Sequence, residues 1–290
     1  MNRKKILITG ANGFVGQALL RRLAEAGYEL YGLGMQNSLP HMRLYYTKFF
    51  VQDITCPFVI DENFEVVFHL AALNLTHIGQ KNNKLYEAVN IEGTKNVITA
   101  VNTEKFVFMS SSHIYSSQKG KINEMASVNP RTDYAKSKLK GEIICRKYFN
   151  MQDVIIVRPV NIIGPGQPLK AAVPLFIHNA IKGIPIEVFT SRKTKLQLLY
   201  LDDVIEFFIN ILGKKALSGV FNLAPQGGIE MDRLVGQIIT LTHSDSLVNY
   251  SNNDTPMQFD ISSQKASELL QWRPQTDVLQ MLKNILLMVK

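Results

Sequence analysis

Two stretches carry side chains that could move a proton: "DYAKSKLKG" at 133–141 and "MSSSHIY" at 109–115. Tyr134 and Lys138 stand four apart, which on a helix puts them one turn apart on one face. A free phenol titrates near ~10 and is a poor base at neutral pH, whereas an ammonium beside it favours the phenolate. The serines of "MSSSHIY" could add a hydroxyl or merely terminate a strand. The plainer reading of Tyr134 and Lys138 is a solvated helix pair. Spacing alone does not decide, because Tyr115 and Lys119 in "YSSQK" repeat it. That pair lies in "YSSQKGKINE", which reads as a loop without helical periodicity, so no common face is fixed. Lys136 and Lys140 fall off the face of Tyr134 and read as surface charge. Histidine as a type changes charge near neutral pH, so His113 could act as an acid or base, or simply shape a pocket.

These residues need elements to hold them. "KILIT", "YELYGL", "EVVFHLA", "KFVFMSS" and "DVIIVRP" are apolar, β-rich runs. Between them lie the helical patterns "FVGQALLRRLAEAG", "NKLYEAVNIEGTKNVITAV" and "TDYAKSKLKGEIICRKYF". Apolar strands alternating with helices predict a parallel sheet covered on both faces: an α/β, doubly wound (Rossmann) fold. After Pro159 the pattern loosens. "NIIGPGQP" reads as a loop, "VPLFIHNAIKG" as a helix, and "LQLLYLDDVIEFFINILG" as a strand followed by a helix capped by Asp202 or Asp203. "GVFNLA" reads as a strand, and "DISSQKASELLQWRP" as a short helix closed by a tryptophan–proline turn. The expected organisation is a dinucleotide-binding domain over 1–160, with 195–224 returning to it. A smaller C-terminal substrate-binding lobe takes 161–194 and 225–290.

"ITGANGFVG" places Gly10, Gly13 and Gly16 between the first strand and the first helix. Gly10 suits a tight turn, Gly13 admits a pyrophosphate to the backbone, and Gly16 lets helix pack on strand. The helix N-terminus then faces the phosphates. The dinucleotide is NAD or NADP. The second strand ends "YGLGMQN", with Gly34 about where an acid would grip the ribose hydroxyls of NAD, and no arginine follows to take a 2′-phosphate. Asp53 in "QDIT" could bind the adenine amino group or simply cap a turn.

The bulk numbers narrow the classes. At 290 residues, 46% hydrophobic and 19% charged, the chain can build a core without disulfide or metal staples. The net charge of +8 comes from scattered bases, with only short clusters such as "NRKK" and "SRKTK". That favours attraction of a phosphorylated small molecule over nucleic-acid binding. Cys56 and Cys145 form no metal spacing and suggest a reducing compartment, so no metal is expected. The basic, apolar start looks like a signal peptide, but Thr9, Asn12 and Gln17 interrupt it. No run has the length of a membrane span, so no membrane association is expected and the cytoplasm is the default.

With the glycine motif, "HLAA" at 69–72, "MSSSHIY" and "YAKSK" at 134–138, the chain resembles the extended short-chain dehydrogenase/reductase family. "RPVNIIGPG" at 158–166, "LDDV", "FNLA" and the "DISSQKASELLQWRP" segment extend the match over nearly the whole chain. It is similar to the nucleotide-sugar branch of epimerases, dehydratases and ketoreductases. The resemblance implies Ser111, Tyr134 and Lys138 as catalytic residues, with His113 where some relatives carry a second acid/base. It implies a cofactor set of Gly10, Asn12, Gly13, Phe14, Val15, Gly16, Asp53, Ile54, Leu70, Ala71, Ala72 and Asn90, joined by Tyr134 and Lys138. Ser112, His113, Asn161 and Lys195 would meet the nucleotide sugar, and Asn161 could equally brace its loop.

Two departures bear on the substrate. Ser112 and His113 stand where a standard 4,6-dehydratase has an acidic pair. The arginine often found before "DDV" reads Leu196, and "NNDTPMQFD" lacks another, leaving Arg192, Lys193, Lys195 or Asn161 for phosphate. The resemblance implies hydride transfer at carbon 4 of a nucleotide-activated sugar, with 4-keto-6-deoxyhexose reduction favoured and 4-epimerisation the alternative. A homodimer through the 83–101 and 134–149 helices is also implied. The rivals are a non-catalytic dinucleotide-sensing regulator and a reductase of a non-sugar ketone.

Overall fold

The computed structural model describes residues 4–74, 83–115, 120–150, 152–251 and 259–289. Lys119 and most of "NNDTPMQFD" lie outside the described residues. In chain order the first half holds β1 (Lys5–Thr9), α1 (Phe14–Glu25), β2 (Glu29–Gly34), β3 (Lys48–Val51) and β4 (Asn63–His69). Helix α2 runs Asn83–Tyr86, widens to a π-helical turn at Glu87–Glu92 and resumes over Gly93–Ala100. Then come β5 (Asn102–Met109), α3 (Asp133–Tyr148) and β6 (Val154–Pro159).

The remainder holds β7 (Asn161–Ile163), α4 (Ala172–Lys182), β8 (Ile186–Val188), β9 (Lys195–Leu196), β10 (Leu198–Tyr200) and α5 (Leu201–Leu212). It closes with β11 (Gly219–Leu223), β12 (Ile229–Glu230), α6 (Met231–Thr242), β13 (Val248–Tyr250), α7 (Gln264–Leu270) and α8 (Val278–Val289).

The sheet has seven strands in the order β11-β6-β5-β4-β1-β2-β3, flanked by helices. The pairings from β3 through to β6 are parallel. This is the doubly wound, Rossmann-like fold that the alternating runs predict. Strand order reverses between β1 and β4, so a crevice opens outside their carboxyl ends, where Thr9 sits opposite His69. Leu7, Leu33, Val67, Phe106, Phe108 and Ile156 from neighbouring strands form the core there.

The chain divides into two compact units, the first holding 1–116, 127–159 and 205–221. The second holds 117–126, 160–204 and 222–290, with a core of its own around Ile177, Ile186, Leu198, Leu234, Ile238 and Leu282. Two local readings change. The start of "NIIGPGQP" is strand, because Asn161, Ile162 and Ile163 pair in parallel with β10 before the Gly/Pro cluster begins. Asp202 and Asp203 lie inside the first turn of α5, not at its cap. The buried Asp203 carboxylate instead accepts from Gln275 N (2.9 Å) and Thr276 N (3.3 Å). Among the described residues no helix is long and apolar enough to cross a membrane, and no group of three His, Cys, Asp or Glu could hold a metal.

Candidate active site

The β1–α1 turn is built by its glycines. Gly10 has φ +68°, and a Cβ there would sit 2.8 Å from Ala71 N and 3.0 Å from Leu70 C. The turn therefore presses directly on the segment that leaves β4. A Cβ on Gly16 would run into the carbonyl oxygen of Gly10, so helix and turn could not close. Gly13 differs: only the Gly10 carbonyl lies near its missing Cβ, at 3.0 Å, and the residue is exposed. No side chain caps α1 and its first turn holds no acid. Phe14 and Val15, half-buried, open that turn. An exposed glycine before an uncapped helix start fits a pyrophosphate. Asn12 donates to the carbonyls of Gln36 and Asn37 at 3.2 Å each, and its Oδ1 is buried without a hydrogen-bond partner.

Beneath the turn lies a buried chain of polar groups. Ala71 N donates to Thr9 Oγ1 at 3.2 Å, and Thr9 Oγ1 lies 2.8 Å from His69 Nδ1. His69 Nε2 lies 3.0 Å from Thr94 Oγ1, which donates to Asn90 O at 2.8 Å. Thr94 spends its proton on Asn90, so His69 must donate from Nε2 and accept at Nδ1 from Thr9. A neutral imidazole satisfies every partner. Burial at 1% exposure, reinforced by the charge of Lys138, accordingly pushes the His69 pKa down to about 3.

Asn90, in the π-helical turn of α2, extends the chain. Its Oδ1 accepts from Leu73 N (2.8 Å), and its Nδ2 donates to Leu73 O (3.0 Å) and Ser137 Oγ (2.9 Å). Ser137 donates to the carbonyl of Tyr134 at 2.7 Å. The half-buried segment Leu70–Leu73 is thus fixed to the helix that carries Tyr134.

Helix α3 starts where Thr132 accepts from Ala135 N, at 3.1 Å. Tyr134 and Lys138 are buried at 9% and 4% exposure, whereas Lys136 and Lys140 are exposed. Ser111 caps the short 3-10 turn Ser112–Ile114, accepting from His113 N at 3.2 Å. His113 is exposed, its ring edge-on to Tyr134 with centroids 6.1 Å apart. Ser112 is buried.

Burial works against the expected lowering of the Tyr134 pKa. It pushes the phenol up to about 12, opposed by the Ser111 hydroxyl. Lys138 donates to the carbonyl of Met109 at 2.8 Å and sits 5.3 Å from the Phe108 ring centre. Its own pKa is lowered to about 8 by burial. Desolvation is the larger of the two effects on the phenol.

Two other expectations meet packing. Asp53 Oδ1 accepts from Thr55 N (2.9 Å) and Thr55 Oγ1 (2.8 Å), which closes a turn. The Ile54 side chain lies in the core. The sequence reading also missed Glu142 and Arg158, an ion pair at 2.6 Å with both residues almost fully buried. An arginine ending an apolar strand was the available signal, since such a charge must find a partner. In the second unit Asn161, Lys193 and Lys195 are exposed. Arg192 pairs with Asp232 at 3.5 Å and stacks on Tyr250 at 4.2 Å. The first unit's arrangement can exchange a proton at an oxygen held by Tyr134 and Ser111, next to a turn shaped for a dinucleotide.

Residues 6–224 match the model of the NAD dependent epimerase/dehydratase family. The Bacillus subtilis protein described as an uncharacterized UDP-glucose epimerase, YtcB, is 28% identical over 97% of this chain and 96% of its own. Human dTDP-D-glucose 4,6-dehydratase is 26% identical over 93% of this chain and 85% of its own. The crystal structure of Bacillus cereus UDP-glucuronic acid 4-epimerase with NAD superposes with a TM-score of 0.85, at 24% identity over 98% of both chains. That last likeness is one of fold.

Proposed function

Since the chain belongs to the NAD dependent epimerase/dehydratase family, we propose that it binds NAD and inverts carbon 4 of a nucleotide-activated sugar by oxidation and re-reduction. The observation that carries this reading is the buried pair Tyr134 and Lys138, one turn apart on α3, with the buried Ser111 in the segment that packs its His113 ring edge-on to Tyr134. The likeness to YtcB over nearly the full length of both chains supports epimerisation. Ser112 and His113, in place of an acidic pair, argue against 4,6-dehydration.

NAD, when bound, supplies the hydride acceptor and donor. Gly10, Asn12, Gly13, Phe14, Val15 and Gly16 hold its pyrophosphate end. Asp53 and Ile54 meet the adenine, and Leu70, Ala71, Ala72 and Asn90 flank the rest. Tyr134 takes the proton of the sugar hydroxyl during oxidation and returns it during reduction. Ser111 hydrogen-bonds the same oxygen. Lys138 supplies positive charge that works against the burial of the phenol. His113 and Ser112 meet the sugar. Asn161 and Lys195, in the unit read as the substrate lobe, meet the diphosphate. Two chains pair through α2 and α3, where Leu85, Ile143 and Tyr148 are exposed.

A second reading, reduction of a 4-keto nucleotide sugar, is favoured by the burial of Tyr134, which works against the phenolate and for the form that gives a proton to a carbonyl oxygen. Incubation with UDP- and dTDP-hexoses and their 4-keto counterparts separates the two. A C4 epimer formed without net nicotinamide turnover supports the first, and NADH consumed with the 4-keto sugar supports the second. No conversion, together with no thermal stabilisation by any nucleoside diphosphate, overturns both.

A further inference from the structure

The short segment Ser110–Tyr115 carries Ser111 and His113, and both of its ends are tied to one buried ion pair. At one end Ser110 Oγ donates to Glu142 Oε1 at 2.5 Å. At the other, Arg158 Nη1 donates to the Tyr115 hydroxyl at 2.6 Å and stacks over its ring at 5.1 Å. Between them Arg158 grips Glu142 twice, Nε to Oε1 at 2.8 Å and Nη2 to Oε2 at 2.6 Å. Arg146 adds a third cationic contact, at 3.3 Å. Glu142 is 0% and Arg158 3% exposed.

A buried ion pair is weak evidence for stability, because desolvation offsets its attraction. Its directional bonds nonetheless fix geometry. Glu142 lies four residues beyond Lys138 and eight beyond Tyr134 on α3, so all three share one face. The pair therefore joins three parts: the helix bearing Tyr134 and Lys138, the end of β6, and both flanks of the turn bearing Ser111 and His113. Tyr115 acts there as a hydrogen-bond acceptor.

We propose that Glu142 and Arg158 are positioning residues that set Ser111 and His113 against Tyr134 through Ser110 and Tyr115. The proposal rests on the function above for its kinetic arm only. Ser110→Ala and Tyr115→Phe each remove one tie and leave the ion pair intact. Misplacement of a catalytic group by a fraction of an ångström costs turnover more than binding, so each single variant should lose about 5-fold in kcat, and the double about 50-fold. KM for the nucleotide sugar and the dinucleotide bound per chain should stay within about twofold.

Hydrogen exchange reads the pinning without turnover. The amides of His113, Ile114 and Tyr115, bonded to Ser111 Oγ, Ser111 O and Ser112 O, should exchange about 10-fold faster in the double variant. Wild-type kcat in the double variant, or a kcat loss matched by equal loss of bound dinucleotide, overturns the proposal; so does unchanged exchange. If the wild type converts no nucleotide sugar, the proposed function fails while the exchange result still decides whether the ties hold the turn.

Discussion

Lys138 donates to the backbone carbonyl of Met109, the last residue of the strand leading into Ser111, at 2.8 Å. The lysine thus secures the strand end while remaining one turn from Tyr134. Lys138→Met removes the hydrogen bond and the charge but keeps the stem. Turnover should fall by about 10²-fold or more, within the range for a positioned acid–base group. Comparing kcat of the folded variant with wild type checks this, and a loss under threefold would contradict the assigned role.

His69 links stability to acid. Its folded pKa of about 3 lies below the ordinary value of 6.5, so the neutral form is the folded form. Its contribution is complete above pH ~6.5 and is lost as pH falls toward ~3, because the unfolded chain takes up the proton first. At pH ~4.5 the loss is on the order of 3 kcal/mol. His69→Gln does not titrate. Urea melts of both proteins from neutral pH to pH ~4.5 should show wild type losing more stability than the variant. Parallel pH slopes would count against a neutral buried imidazole.

Gly13 and Gly16 should fail differently. Gly16→Ala drives a methyl into the Gly10 carbonyl, so stability should drop by roughly 2 kcal/mol or more. Gly13→Ala meets only that carbonyl at 3.0 Å and should fold with a loss under about 1 kcal/mol. Its NAD affinity should nevertheless fall by about 10-fold, as the added methyl stands where the pyrophosphate approaches. Thermal melts and NAD titrations, run in parallel on both variants, separate packing from binding.

Gly34 ends β2, where an acid would grip the ribose of NAD. A Cβ there would lie 3.1 Å from Phe49 Cζ and 3.3 Å from Asn12 Nδ2, both side-chain atoms able to shift. Gly34→Asp should therefore fold and raise the preference for NAD over NADP by about 10-fold, through repulsion of the 2′-phosphate. Calorimetric titration with each dinucleotide tests it, and an unchanged affinity ratio would mean that β2's end does not face the ribose.

Much of the first unit was legible because its signals are local. A glycine turn after a strand and two residues one helical turn apart are properties of a dozen neighbouring positions. What escaped depends on contacts distant in sequence. His69 and Thr9 meet across 60 residues, and Arg158 finds Tyr115 across 43. The edge strand β3 went unread because four residues carry little periodic signal, whereas the 12-residue amphipathic helices α6 and α8 do carry it and were overlooked. The burial that opposes Lys138 at Tyr134 escaped for a related reason. Spacing places a charge near a phenol, but only burial at 9% exposure reveals how strongly desolvation opposes it.

The central claim is that Tyr134 exchanges a proton with the oxygen on carbon 4 of a nucleotide sugar. The most direct measurement is C4 epimer formation from UDP- and dTDP-hexoses by wild type and by Tyr134→Phe, with NAD binding measured on the same samples. The account predicts turnover in wild type and a loss of about 10³-fold in the variant with NAD still bound. Equal turnover by both proteins would contradict it.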